Sequence, residues 1–424
     1  MIETAASGTS ASTRRRLSDR RDLIIVLVVA LVARILYWVL VTPTYSPESD
    51  AAQYVDLARN IINGRGYSMT FPQLEVHPTA FRPPGYPYAL AALFKVVGVD
   101  VAAGRVLSLM FGLVAIGLVY LLVRRISTPR AALVAGLCMS LYPPLLANDT
   151  VLLTEAMSLA LLAGLLLALA ARRWPIAAVV CGLLILTRAS AQYLVIVGAL
   201  WVLWQLGWKR ALGFAAIVVA VVSPWFIRNQ IQLGSALYVT SNGFNLAGTY
   251  SPAARESQRF VDPVIDDRFE QFRLAQFDEA SWQNQLQAFA IEDLTAHPSQ
   301  VPGVLYRNAT HLFEFTPQFN EWAENADGRN LEFRSATLWV FYVVTVVGVF
   351  GLIVARRDPV VVLIGATGLY FVLGSLVLVS PPRLRSPFDM CCCIGVGLAA
   401  QWWAARRQPR DARSSIGPSS AFAE

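Results

Sequence analysis

The sequence predicts an all-α protein that crosses a membrane many times, and three observations predict it. Of 424 residues, 55% are hydrophobic and only 15% are charged, whereas a soluble domain carries about 25% charge. The mean hydropathy is +0.50. Apolar runs recur along the chain at about the 20 residues that a helix needs to cross the hydrocarbon layer.

Ten spans follow from these runs: 23–41, 102–123, 131–147, 151–171, 175–190, 191–207, 211–227, 336–355, 359–379 and 387–404. Thr187-Arg188 divides the fifth from the sixth inside a nearly continuous apolar stretch. The first run follows Arg14-Arg15-Arg16 as a signal peptide would, but it continues to Val41 without a small-residue cleavage site and is expected to stay attached. Basic clusters at Arg14 to Arg21, Arg124/Arg125/Arg130, Arg172/Arg173, Lys209/Arg210, Arg356/Arg357 and Arg406 to Arg413 occupy every second junction. The positive-inside rule makes those junctions and both termini cytoplasmic. The other junctions then face outward, and they hold most of the acidic residues and all three histidines, His77, His297 and His311.

This pattern divides the chain into a disordered cytoplasmic tail (1–22), an N-terminal membrane module (23–227, with an outer loop at 42–101), an extracytoplasmic domain (228–335), C-terminal spans (336–404) and a cytoplasmic tail (405–424). The net charge of +7 rests on arginines set as short pairs between apolar runs, with Lys95 and Lys209 the only lysines. That is a topology signal and excludes a nucleic-acid surface. Cys138, Cys181, Cys391, Cys392 and Cys393 fall inside apolar segments in no metal-ligand spacing, so neither a disulfide framework nor a zinc site is expected.

In the first outer loop, Ala51, Tyr54, Val55, Ala58, Ile61 and Ile62 follow a helical repeat, with Gln53, Asp56, Asn60 and Asn63 opposite. The repeat predicts a helix on the membrane surface, capped by Ser49 and ended by Gly64 and Gly66. After the turn-rich Arg82-Pro83-Pro84-Gly85-Tyr86-Pro87, the stretch 88–97 is too short to span and reads as interfacial or re-entrant. The long 228–335 segment mixes aromatic and charged residues in an order that suggests helices resting on the membrane portion.

Several charged residues stand out. Asp50 lies in the first turn of the loop helix, where a carboxylate either complements the helix dipole or takes a proton from an acceptor hydroxyl as a general base. Glu155 opens the fourth span, and for it a site role and a structural pairing with an arginine stand as equal alternatives. Asp149 reads as a solvated loop residue, and Arg34, deep in the first span, as pointing into the bundle toward a partner carboxylate. Arg82, Arg188, Arg228, Arg383 and Arg385 fall on the outer side, against the topology rule. Each alone pairs as readily with a lipid headgroup or an outer carboxylate. Arg383 and Arg385 in the Pro-framed loop SPPRLRSP favour a site that binds phosphate in fork geometry and stabilises it as a leaving group.

Taken in order, the acidic first loop with Tyr54, Ala58 and Gly64-Arg65-Gly66-Tyr67, then Arg82 to Pro87, Thr154-Glu155, Leu186-Thr187-Arg188 and Pro224 to Asn229 resemble the integral-membrane glycosyltransferases of the GT-C superfamily. The likeness is to the bacterial relatives of protein O-mannosyltransferases and of the lipid A aminoarabinose transferase, and it covers most of residues 20–250. The resemblance implies an inverting transferase that moves a sugar from a polyprenyl-phosphate carrier to a protein, lipid or polysaccharide hydroxyl on the outer face of a bacterial plasma membrane. It assigns the catalytic acidic residue to Asp50 and the carrier phosphate to Arg383, Arg385, Arg82, Arg188 and Arg228, with Glu155, Tyr54 and Tyr86 as further site candidates. Glu48-Ser49-Asp50 stands where the mannosyltransferase branch often has an adjacent Asp-Glu pair, which leaves open whether Glu48 shares the work. A donor with its own activated phosphate bond needs no nucleotide-binding element, and the chain has no GxGxxG or P-loop. No cofactor is expected and a divalent cation stays open. The rival readings are a transporter or flippase of lipid-linked sugars and a non-catalytic envelope scaffold.

Overall fold

The computed structural model describes residues 3–73, 75–316 and 321–407. Parts of both expected tails, 1–2 and 408–424, lie outside the described residues. Helix α1 (Glu3–Leu36) runs on through a π turn, Tyr37–Val41. The tail expected to lack order is therefore helical from Glu3, where it extends a helix already nucleated in the span although the Ser, Thr and Gly residues of 4–13 favour helix less than Ala does. The first loop holds α2 (Ser49–Ile62), the two-stranded ladder β1 (Ser68–Met69) and β2 (His77–Pro78), and α3 (Gly85–Val97). The strands are antiparallel, with Ser68 opposite Pro78 and Met69 opposite His77.

The spans follow as α4 (Val101–Ile126), α5 (Pro129–Leu141) with the short α6 (Pro143–Asn148), α7 (Glu155–Ala170), α8 (Trp174–Ile185), α9 (Leu194–Leu206) and α10 (Trp208–Leu233). Between α10 and the next span lie α11 (Ser241–Tyr250), α12 (Pro252–Ser257), α13 (Glu279–Ala296), α14 (Gln300–Leu312) and α15 (Glu321–Ala326). Helices α16 (Leu331–Val354), α17 (Pro359–Val377) and α18 (Ser386–Arg407) complete the bundle. The protein is thus an all-α polytopic integral membrane protein. Among the described residues, seven helices are long and apolar enough to cross a membrane. The other expected spans fall on α5, α7 and α8, which have 13, 16 and 12 residues. The third breaks at Tyr142, whose extended backbone (φ −74°, ψ 114°) is what the following Pro143-Pro144 imposes.

The borders of the long outer segment move inward to 234 and 330, because α10 continues to Leu233 and α16 starts at Leu331. Its helices are fastened to the end of α17 and to the first loop. Asn308 donates to the Leu376 carbonyl at 2.8 Å, Tyr250 to the Val377 carbonyl at 2.7 Å, and Glu279 accepts the Ala80 amide at 2.8 Å. Inside the bundle, α16 and α18 cross where Gly348 and Gly351 meet Gly395, and an added Cβ at any of the three would run into a backbone carbonyl of the facing helix. Small residues at such a crossing let two helices pack by close van der Waals contact where hydrocarbon offers no hydrophobic drive.

Helix α2 differs from its expected form in two places. Ser49 is its first residue, at φ +46°, and Glu48 takes the N-cap position without a side-chain cap. Asn60 is buried and donates to the Ser68 carbonyl at 3.0 Å, because α2 packs against the β1–β2 ladder and α3 and keeps only its Ala52–Arg59 face exposed. Gly64 and Gly66 do end the segment, both at positive φ.

Asp149, expected in solvent, is buried and bonded to Arg34, whose Nε lies 2.8 Å from Oδ2. Arg34 Nη1 also donates to the carbonyls of Ala30 and Ser140, each at 3.1 Å. A cation at this depth requires a counter-charge, and α6 folds the 148–150 turn into the bundle to supply it. Arg34→Met leaves Asp149 unpaired and should destabilise the protein by about 3 kcal/mol. The double change Arg34→Met/Asp149→Leu should recover most of that loss, read as melting temperatures in detergent.

Candidate functional site

The loops at one end of the bundle converge on a single guanidinium group. Arg383 stands in a 3-10 turn, Pro382–Arg385, between α17 and α18. Its Nη2 lies 2.5 Å from Asp50 Oδ2, its Nη1 3.3 Å from Glu155 Oε1, and its Nε 2.7 Å from Asp327 Oδ2. The first two contacts are directed hydrogen bonds. The third lies off the N–H axis, since Arg383 Nε has no hydrogen-bond partner, and is a contact of charges.

Two further arginines complete the cluster. Arg82 donates from Nη2 to the other oxygen of Asp50 and from Nε to Gln53 at 2.8 Å, with its plane over the Tyr54 and Phe81 rings. Arg188 Nη1 lies 3.6 Å from Glu155 Oε1, and its other nitrogens reach Ser190 and the Leu384 carbonyl. Glu155 Oε2 is buried without a partner. Three carboxylates and three guanidinium groups thus sit together, supplied by the 42–101, 149–155, 186–190, 234–330 and 378–386 junctions. All five junctions assigned to the outer side contribute at least one member. The cluster is closed around Glu155 and Arg188, whose side chains are 1% and 4% exposed, and open at Asp50 and Arg82, at 16% and 18%.

The local folding explains these placements. Asp50 sits in the first turn of α2, where the helix dipole favours a negative charge, and Glu155 does the same for α7. Asp327 follows α15 in a turn closed by the Arg329 amide on the Glu324 carbonyl, 2.9 Å. Gly328 has φ +80° and packs so closely on Tyr45 that an added Cβ would meet the ring. That contact fixes the turn beneath the first loop. Burial pushes the Asp50 carboxyl up, but Arg82 and Arg383 outweigh it and bring it down to about 2. Burial raises Asp327 and Arg383 lowers it, yet Asp50 and Glu155 push it up again, to about 7.

The other candidates lie elsewhere. Arg385, two residues from Arg383 in a helix of three residues per turn, faces away. It is fully buried, 2.5 Å from Glu314 and 3.4 Å from Asp389, and stacks on Phe341 at 3.6 Å. Arg228 donates to the Tyr67 and Thr79 carbonyls, both at 2.6 Å, and lies over Tyr67 and Trp225, so it ties α10 to the first loop. Tyr86 is buried, 3.1 Å from Ser108 and edge-on to Tyr54. Tyr54 alone of the two tyrosines borders the cluster. Glu48 is exposed and forms none of its ion pairs. Asp327 was not singled out by the sequence reading. Its only signal is an acidic residue just before an apolar span, the position that Asp50 and Glu155 also hold beside theirs. Among the described residues no group of His, Cys, Asp and Glu side chains is arranged to hold a metal ion, and three of the carboxylates that would offer oxygens are turned onto Arg383.

Residues 81–227 match the dolichyl-phosphate-mannose-protein mannosyltransferase family. No curated protein matches the chain. Among solved structures, the oligosaccharyltransferase AglB from Archaeoglobus fulgidus, in complex with an inhibitory peptide and a dolichol-phosphate, aligns at a TM-score of 0.51 and 15% identity over 95% of this chain and 52% of its own. The apo oligosaccharyltransferase from the same archaeon aligns at 0.52 and 16%, over 94% and 52%. ArnT from Cupriavidus metallidurans bound to undecaprenyl phosphate aligns at 0.42 and 15%, over 90% and 78%. The chain spans about half the length of the oligosaccharyltransferases it matches. The chain thus resembles that mannosyltransferase family over residues 81–227 and shares the fold of the archaeal oligosaccharyltransferases.

Arg383→Met leaves Asp50, Glu155 and Asp327 around a neutral side chain and should cost about 3 kcal/mol or more. Arg383→Lys keeps the charge but not the planar fork, so its melting temperature should fall between those of wild type and Arg383→Met.

Proposed function

We propose that the protein is an inverting glycosyltransferase that takes a sugar from a polyprenyl-phosphate carrier and joins it to an acceptor hydroxyl on the extracytoplasmic face of a bacterial plasma membrane. The observation that carries this reading is the convergence of all five loop junctions on the Arg383 cluster, open only along its Asp50–Arg82–Arg383 edge. A phosphate oxygen at that edge meets two guanidinium groups already oriented by Asp50, and their fixed charge stabilises the phosphate as its bond to the sugar breaks. The carriage of a dolichol-phosphate by AglB supports a donor of this class.

The orientation follows from charge. The junctions bearing Arg124/Arg125, Arg172/Arg173, Lys209/Arg210 and Arg356/Arg357 lie at the other end of the spans from the cluster, and the positive-inside rule makes that end, with both termini, cytoplasmic. The membrane module 23–227 and the spans 336–404 then build the donor site, and the 228–335 segment shapes the acceptor site above it.

The carrier chain has a place to lie. A groove between α5 and α16 is lined by Val134, Leu137, Leu141, Val340 and Val344. Farther along α16 a second pocket is bounded by Phe341, Arg329 and Arg385, on the face of the 382–385 turn that points away from Arg383. An isoprenoid chain fits the apolar lining of the α5–α16 groove.

Purified protein in nanodiscs, given labelled polyprenyl-phosphate sugars and an extract of envelope acceptors, should turn over one donor. Asp50→Asn and Arg383→Ala should each lower that rate at least ~100-fold. Tight binding of a donor with no turnover of any would sink the transferase reading and favour a flippase or scaffold.

A further inference from the structure

Arg82 and Arg383 both face the open edge, but their charges are compensated differently. Arg383 is in contact with Asp50, Glu155 and Asp327. Among the described residues Arg82 has one carboxylate partner, Asp50, and shares it with Arg383. Its other contacts carry no formal charge. Nε donates to Gln53 Oε1 at 2.8 Å, and the guanidinium carbon lies 5.0 Å from the centre of the Phe81 ring and 5.8 Å from that of Tyr54. Gln53 and Asp50 take Nε and Nη2, which leaves Nη1 without a hydrogen-bond partner among the described residues.

Gln53 follows Asp50 by three residues on α2, so the two side chains leave the helix on one side and reach the same guanidinium. Arg82 Nε can only donate, so the Gln53 amide must turn its oxygen toward it. A glutamate would reach as far and accept the same hydrogen bond more strongly. It would also place a second carboxylate on Arg82, and a phosphate arriving at the edge would meet a charge already matched. We propose that Gln53 is a positioning residue for the carrier phosphate: its neutral oxygen fixes Arg82 in place and leaves that guanidinium the least compensated positive charge at the open edge, with Nη1 free to meet a phosphate oxygen. This rests on the transferase reading, since the anion it serves is the phosphate of a polyprenyl carrier.

The edge is within reach of a ligand. The Arg82 and Asp50 side chains are 18% and 16% exposed, and Gln53 is half-buried beside them. Two effects of residue 53 can be separated there. Glutamate keeps the acceptor for Arg82 Nε and adds a negative charge, whereas methionine has nearly the same length, removes the acceptor and adds no charge. Close to a phosphate at a partly buried edge, the added charge should weaken binding about 10-fold or more. Loss of the neutral acceptor, with the charge of Arg82 intact, should weaken it only about threefold.

The test measures equilibrium binding of farnesyl phosphate, and of farnesol as its uncharged counterpart, to the full chain in nanodiscs of zwitterionic lipid. Wild type, Gln53→Met and Gln53→Glu should bind farnesyl phosphate in that order of decreasing affinity, and farnesol alike. Melting temperatures should run the other way for the two variants, with Gln53→Glu at or above Gln53→Met, because the carboxylate holds Arg82 more firmly. If residue 53 did no more than hold Arg82, Gln53→Glu would bind farnesyl phosphate as well as wild type and Gln53→Met would bind it least. That order overturns the proposal, as does a loss of farnesol binding in Gln53→Glu equal to the loss of farnesyl phosphate binding. Failure of wild type to bind farnesyl phosphate overturns the proposal together with the donor reading. The expected order in a protein that turns over no donor upholds the proposal and sinks only the transferase reading.

Discussion

A guanidinium group is planar, carries five N–H donors and does not deprotonate in proteins, and the loop end of this bundle is organised around one. Arg383 contacts carboxylates that enter from α2, from the first turn of α7 and from the turn before α16. At least two of these contacts bridge segments more than 200 residues apart, with separations of 333 and 228. Each carboxylate at this partly dry position is costly without a cation, and Arg383 without them is equally so. The first loop, the long outer segment and the 378–386 junction are therefore held in register by one shared partner. The Gly348–Gly395 crossing sets how close α16 comes to α18, and the Asp327 and Arg383 turns precede these two helices directly.

Much of this was legible in the sequence, and what was not has an identifiable cause. Every apolar run coincides with a helix or a helix pair, because periodicity and run length report burial in hydrocarbon directly. The break at Thr187-Arg188 is real, with α8 ending at Ile185 and Arg188 in extended backbone. Asp149 was misread because a loop residue between two spans is ordinarily solvated, and only the fold reveals that α6 turns it toward Arg34. Arg383 and Arg385 read as one basic pair, and local helical phase alone separates them onto opposite faces. Ser49 was read as a cap because its residue type suits that position, whereas the backbone places Glu48 there.

The cluster itself was half visible. Asp50, Glu155, Arg82, Arg188 and Arg383 stood out because charges beside apolar spans, and arginines on the outer side, run against what a membrane favours. Asp327 did not, because it lies in a segment rich in acidic residues where no periodicity marks one above another. Its neighbours give it its character: a carboxyl becomes unusual here through burial and through the presence of Asp50 and Glu155. Those are properties of the assembled loops and have no counterpart in the local sequence.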